Sequence, residues 1–68
     1  MANIELDGNT YQVIKSLESD NRIYYYTLDV NHDNEVVILS QNMLDKGPKF
    51  EKVAEHEYPI LMNKFAIK

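Results

Sequence analysis

The sequence predicts a small α+β domain: an antiparallel sheet of four or five strands with one C-terminal helix packed on one face. Three observations carry this expectation. Two apolar, β-branched and aromatic runs, 22–30 (RIYYYTLDV) and 35–41 (EVVILSQ), flank a short polar acidic connection, the pattern of two paired strands. Asp7-Gly8, ahead of them, is the dipeptide that accepts the positive φ angles of a tight hairpin turn. Near the C-terminus the apolar period lengthens, with Tyr58, Leu61, Met62 and Phe65 falling at i, i+3, i+4 and i+7 on one helical face.

In chain order, residues 4–6 (IEL) form a first short strand and 10–17 (TYQVIKSL) a second. In the second, Tyr11, Val13 and Leu17 share a face with Lys15, and Ile14 lies opposite. Such imperfect alternation suits a strand near a sheet edge, or a twisted sheet partly covered on both sides. Ser19-Asp20-Asn21 is a turn, since Asp and Asn tolerate left-handed backbone. In the third strand Tyr24, Tyr26, Leu28 and Val30 make the more apolar face and are expected inward; Ile23, Tyr25, Thr27 and Asp29 face the other way. Residues 31–34 turn. In the fourth strand Val36, Val37, Ile38 and Leu39 are consecutive, as in a strand covered on both faces. Residues 42–49 carry Gly47-Pro48 and read as loop, and 50–53 (FEKV) form a short fifth strand. The helix begins between Glu55 and Pro59, because proline is tolerated in a first turn whose N–H groups lack partners. Glu55 and Glu57 then lie near its positive end, and Lys64 and Lys68 near its negative end.

Sixty-eight residues make a single domain, 1–68, too small to bury much core, and such domains commonly rely on a staple or a partner. Without cysteine, disulfides and thiolate metal sites are excluded. No secretory signal and no run of about 20 apolar residues is visible, so a soluble cytoplasmic protein is expected. The net charge of −4 is uneven: residues 1–40 hold seven acids against Lys15 and Arg22, and residues 41–68 hold four against five lysines. An acidic sheet argues against general nucleic-acid binding, which relies on a basic patch.

The order of the segments DGNTYQVIKSL, YYYTL, EVVIL and FEKVAEHEYPILMNKF resembles the YrzB-like family, small proteins of Gram-positive bacteria catalogued as a domain of unknown function. The resemblance runs from Asp7 to Phe65. Pro59 near the helix start and a less acidic tail depart from the family pattern. It implies a soluble, cytoplasmic, non-enzymatic protein and carries over no catalytic or binding residue.

Candidate chemistry is sparse. Asp29, Asn31, Asp33 and Glu35 resemble the front of a calcium loop, but Asn34 stands where such loops need glycine and Ser40 where they need a bidentate glutamate. A solvated hairpin turn is expected instead, with at most weak divalent binding. Tyr11, Tyr24, Tyr25 and Tyr26 lack the cationic neighbours of a base-stacking platform and read as core with hydroxyls at the rim. His32 and His56 read as surface residues, and the only glycines, Gly8 and Gly47, build no phosphate loop. No catalytic residue, metal ligand or cofactor is assigned. Lys46, Lys49 and Lys52, spaced by three around Gly47-Pro48, together with Ile60 and Ile67 outside the helical stripe, are the candidate partner-binding residues. The function expected is a non-enzymatic protein-interaction module, adaptor or regulatory, that binds a protein partner or a second copy (a homodimer) through a sheet edge, the acidic strands or the helix's second apolar face, with no membrane. The alternatives are a nucleic-acid-binding accessory using the 46–52 lysine loop, and a phage-type inhibitor or mimic.

Overall fold

Residues 2–42 and 49–65 are described by the structure, a computed structural model. Among them the chain forms five strands, a 3₁₀ turn and one α-helix: β1 (Asn3–Leu6), β2 (Asn9–Ser19), β3 (Arg22–Asp29), β4 (Glu35–Asn42), β5 (Phe50–Lys52), the turn Glu55–Glu57 and α1 (Tyr58–Phe65). The strands build one antiparallel sheet in the order β1-β2-β3-β4-β5. The α+β class and a five-stranded sheet are thus observed. The expected loop over 43–48, with its candidate residue Lys46, and the candidate residue Ile67 lie outside the described residues.

Local chemistry sets the register. Asp7 and Gly8 have φ of 51° and 80°, and Asp20 and Asn21 have 49° and 63°. Two consecutive positive φ angles are the requirement of a type I′ turn, whose twist matches that of the strands it joins. Leu6 therefore pairs with Asn9 and Ser19 with Arg22. The β3–β4 connection also ends on positive φ, at Asp33 (53°) and Asn34 (56°).

Ile38 and Leu39 are both fully buried and, as neighbours in a strand, point to opposite sides of the sheet. Each anchors its own cluster. Ile38 packs with Leu61 and Phe65 of α1 and with Leu17, Tyr24, Tyr26, Val53 and Tyr58. Leu39 packs with Ile4 and Tyr11, joined by Leu6, Val13, Tyr25, Val37 and Phe50. The second cluster joins β1 to β5, the two ends of the strand order, so the sheet is curled. In a flat sheet β2 and β5 would lie three strand spacings of about 4.8 Å apart, yet the Lys52 Nζ comes within 6.0 Å of the Tyr11 ring centroid.

Two expectations are corrected by this curl and by a bulge. Thr27 and Asp29, expected outward, are buried at 0% and 5% exposure, whereas Val30 is 46% exposed. Curling makes the Leu39 side an interior too, and Thr27 is accommodated there by donating its hydroxyl to the Val37 carbonyl at 2.7 Å. In β2, Val13 pairs with Thr27 but Lys15 with Tyr26: Ile14 is an extra residue. A bulge of this kind shifts strand parity by one. Tyr11 and Val13 accordingly join the Leu39 cluster while Leu17 joins the Ile38 cluster, and Ile14 is left 44% exposed.

Gly8 offers a clean test of the first hairpin. A Cβ added there meets nothing within 4 Å, so the cost of Gly8→Ala is purely conformational, about 1–2 kcal/mol for a left-handed residue. Urea unfolding is expected to show that loss at an unchanged denaturant slope; an unaltered midpoint contradicts the turn assignment.

Candidate functional site

The residues singled out from sequence do not form one patch. Lys49 is exposed just before β5, and Lys52 closes that strand. Ile60 is 62% exposed on α1. Lys52 is engaged with the sheet interior: its ammonium sits 6.0 Å from the Tyr11 ring centroid. The Tyr11 hydroxyl, first as hydrogen-bond partner and then through its charge when ionised, holds the Lys52 pKa above its ordinary value; slight desolvation opposes this, and Asp7 and Asp29 add to it. Tyr11 also receives a long hydrogen bond of 3.4 Å from the Asn9 amide. Its ring is fully buried, so Lys52 acts as a cap over an aromatic core residue.

The three consecutive tyrosines divide between the two sides of the sheet, as strand alternation requires. Tyr25 meets Phe50 edge-on at 5.7 Å between centroids, and Tyr26 meets Phe65 at 6.0 Å. Both are core contacts of the kind aromatic quadrupoles favour, and no stacking platform results.

The acidic turn uses its own ligating atoms. The Asp29 carboxylate accepts the Asn31 backbone N–H at 3.0 Å and lies 2.8 Å from the His32 Nδ1. The Asn31 side-chain oxygen accepts the Thr10 N–H at 2.9 Å. These bonds lock the β3–β4 turn onto β2. Among the described residues no group of three or more His, Asp or Glu side chains could hold a metal ion. The Asp29–His32 pair borders an open groove of about 480 Å³ whose walls include Glu35, Glu55, Lys52 and Tyr58. An oriented imidazole needs a nucleophile or a substrate proton in reach to do chemistry.

Besides the outer edges of β1 and β5, β4 and β2 each outrun a shorter neighbour and leave a stretch of edge. On β4, the Val53 N–H bonds the Ile38 carbonyl at 2.9 Å, and the Tyr58 hydroxyl accepts the Ile38 N–H at 3.1 Å. The edge is closed there by α1's first residue. On β2 it is open. β1 pairs only with residues 9–12, and the Ala2 carbonyl takes the Val13 N–H at 3.0 Å. From Ile14 to Ser19 the outer side of β2 has no strand partner among the described residues. The two-residue turn makes Ser19 and Arg22 a hydrogen-bonded pair, so alternation turns the backbone groups of Ser19 and Leu17 toward β3. Those of Ser16 and Glu18, both exposed side chains, point outward. Sequence reasoning names a sheet edge among its candidate surfaces without placing it on β2. Its one trace is the broken alternation at Val13-Ile14-Lys15, which marks the bulge where β2 outruns β1.

No protein-family model, curated protein or solved structure matches the chain. What the chain does is therefore argued from its own surfaces. No helix among the described residues is long and apolar enough to cross a membrane.

The Tyr58 hydroxyl has a measurable role. Ile38 is fully buried, so Tyr58→Phe leaves its N–H without a partner, at a cost of about 1–3 kcal/mol. Chemical denaturation is expected to register this loss; unchanged stability would mean that water satisfies the Ile38 amide.

Proposed function

We propose that the chain is a non-enzymatic protein-interaction module that takes up its partner as an added strand. The observation that carries this is the outer edge of β2 from Ile14 to Ser19, which has no strand partner among the described residues. Strand addition draws affinity from main-chain hydrogen bonds and specificity from alternate side chains. Here the outward backbone groups of Ser16 and Glu18 supply the first, and Lys15, Leu17 and Glu18 the second. In this account α1 serves as the cover of the sheet's Ile38 face, through Leu61 and Phe65. Ile60, exposed on α1, offers a further apolar contact. The resemblance to the YrzB-like family points to the same non-enzymatic, cytoplasmic role. Nucleic-acid binding is disfavoured by charge: seven of the eleven acids lie in residues 1–40, which build four of the five strands.

Ser16→Pro tests the proposal. Proline is tolerated on an edge strand where the lost N–H faces solvent, so the variant is expected to fold while losing the outward donor. The native chain is expected to recover a stoichiometric protein partner, or a second copy of itself, from native lysate, and Ser16→Pro to lose it. Recovery of single chains by both, or an identical partner on both, contradicts the proposal.

A further inference from the structure

We infer that the strand received at this edge is the β2 edge of a second copy of the chain, paired antiparallel about a two-fold axis at Leu17. This rests on the strand-addition reading and specifies its partner. A two-fold relating two antiparallel edges runs perpendicular to the joined sheet, and residues directly opposite project to the same side of it. Opposed residues must then share strand parity, so the axis passes through a residue and never between two.

Hydrogen bonding and charge select the residue. The outward backbone groups after the bulge belong to Ser16 and Glu18. With the axis at Leu17, Ser16 faces Glu18 of the second copy, and Glu18 faces its Ser16. Each pair exchanges an N–H and a carbonyl in both directions, and every outward group finds a partner. An axis at Lys15 brings two ammonium groups face to face, and one at Glu18 brings two carboxylates together; like charges directly opposite are destabilising. An axis at Ser16 satisfies Ser16 alone and sets Glu18 against Ile14, the bulge residue whose backbone departs from the regular ladder. Lys15, Glu18 and the bulge are thus the usual guards against unregistered edge pairing, and here they leave a single register open.

The side chains agree with that register. Leu17 is half-buried against the cluster of Ile38, Leu61 and Phe65. At the axis it meets Leu17 of the second copy, so the apolar interiors on that side become continuous through the interface. On the opposite side each Ser16 hydroxyl lies beside a Glu18 carboxylate able to accept a hydrogen bond from it. The other free edges are shorter, four residues in β1 and three in β5.

The chain has no cysteine, so Leu17→Cys carries one thiol. Opposed residues in a non-hydrogen-bonded antiparallel pair have Cα atoms about 4.5 Å apart, within the span a disulfide bridges. Mild oxidation is expected to link Leu17→Cys into a dimer of twice the 8.0 kDa chain mass, and to leave the exposed Ile14→Cys unlinked. Because Leu17 also serves the core, sedimentation equilibrium on the unaltered chain accompanies this. Its mass is expected to rise with concentration toward the dimer, while Ser16→Pro keeps the single-chain mass and an unchanged circular dichroism spectrum. A single-chain mass for the unaltered sequence at every concentration overturns the inference, as does a dimer that Ser16→Pro retains or one that links through Ile14→Cys instead. If the unaltered chain stays single yet recovers a different protein that Ser16→Pro loses, the second copy is ruled out and strand addition stands; loss of both removes both.

Discussion

Two neighbouring residues of β4, Ile38 and Leu39, are buried to completion on opposite sides of one strand. That constraint requires cover on both faces of a sheet built from very few residues. On the Ile38 side α1 contributes Leu61 and Phe65. On the Leu39 side no helix is involved, and the sheet curls until β1, β2 and β5 meet over Tyr11. The curl in turn explains the polar residues of that interior. Thr27 is satisfied by the Val37 carbonyl, Asp29 by the turn beside it, and Tyr11 by Asn9 with Lys52 as its cap.

The bulge at Ile14 lets one strand serve both interiors. Before it, Tyr11 and Val13 face the curled side; after it, Leu17 faces the helix side. Without the extra residue, every side chain of one half would be moved to the wrong face, the outcome of any one-residue slip in a sheet. The bulge also lies where β1 ends, so the half of β2 that turns toward the helix side is the half with an open edge. Core construction and the proposed interaction surface would therefore share one cause. A chain of this size buries a modest fraction of its surface, and an edge that completes itself on association is one way to add stability without disulfides or metal.

Much of the fold is legible in the residues. The Val36–Leu39 run announces a strand covered on both sides, Asp7-Gly8 and Asp20-Asn21 announce tight turns, and the stripe Tyr58, Leu61, Met62, Phe65 announces the helix. These are local signals, written in period and turn chemistry. The inward placement of Thr27 and Asp29 is not legible, because it depends on a curl that brings together Ile4, Tyr11 and Phe50, residues distant from both in sequence. Nor is the cap of Lys52 on Tyr11, a pair 41 residues apart in sequence. The residues point to a sheet edge as one candidate surface but do not place it, because an open edge is a property of backbone pairing. It appears only when the lengths of β1 and β2 are compared.

The central claim is that the outward amides of Ser16 and Glu18 are the chain's association groups. Residue-resolved hydrogen exchange over a dilution series tests it most directly, since exchange reports whether each N–H is bonded. In dilute solution Ser16 and Glu18 are expected to exchange fast while their neighbour Leu17, bonded to β3, is protected. On concentration, or on addition of partner, Ser16 and Glu18 are expected to become protected together. Protection that is present at every dilution, or that never develops in any complex, would contradict the account.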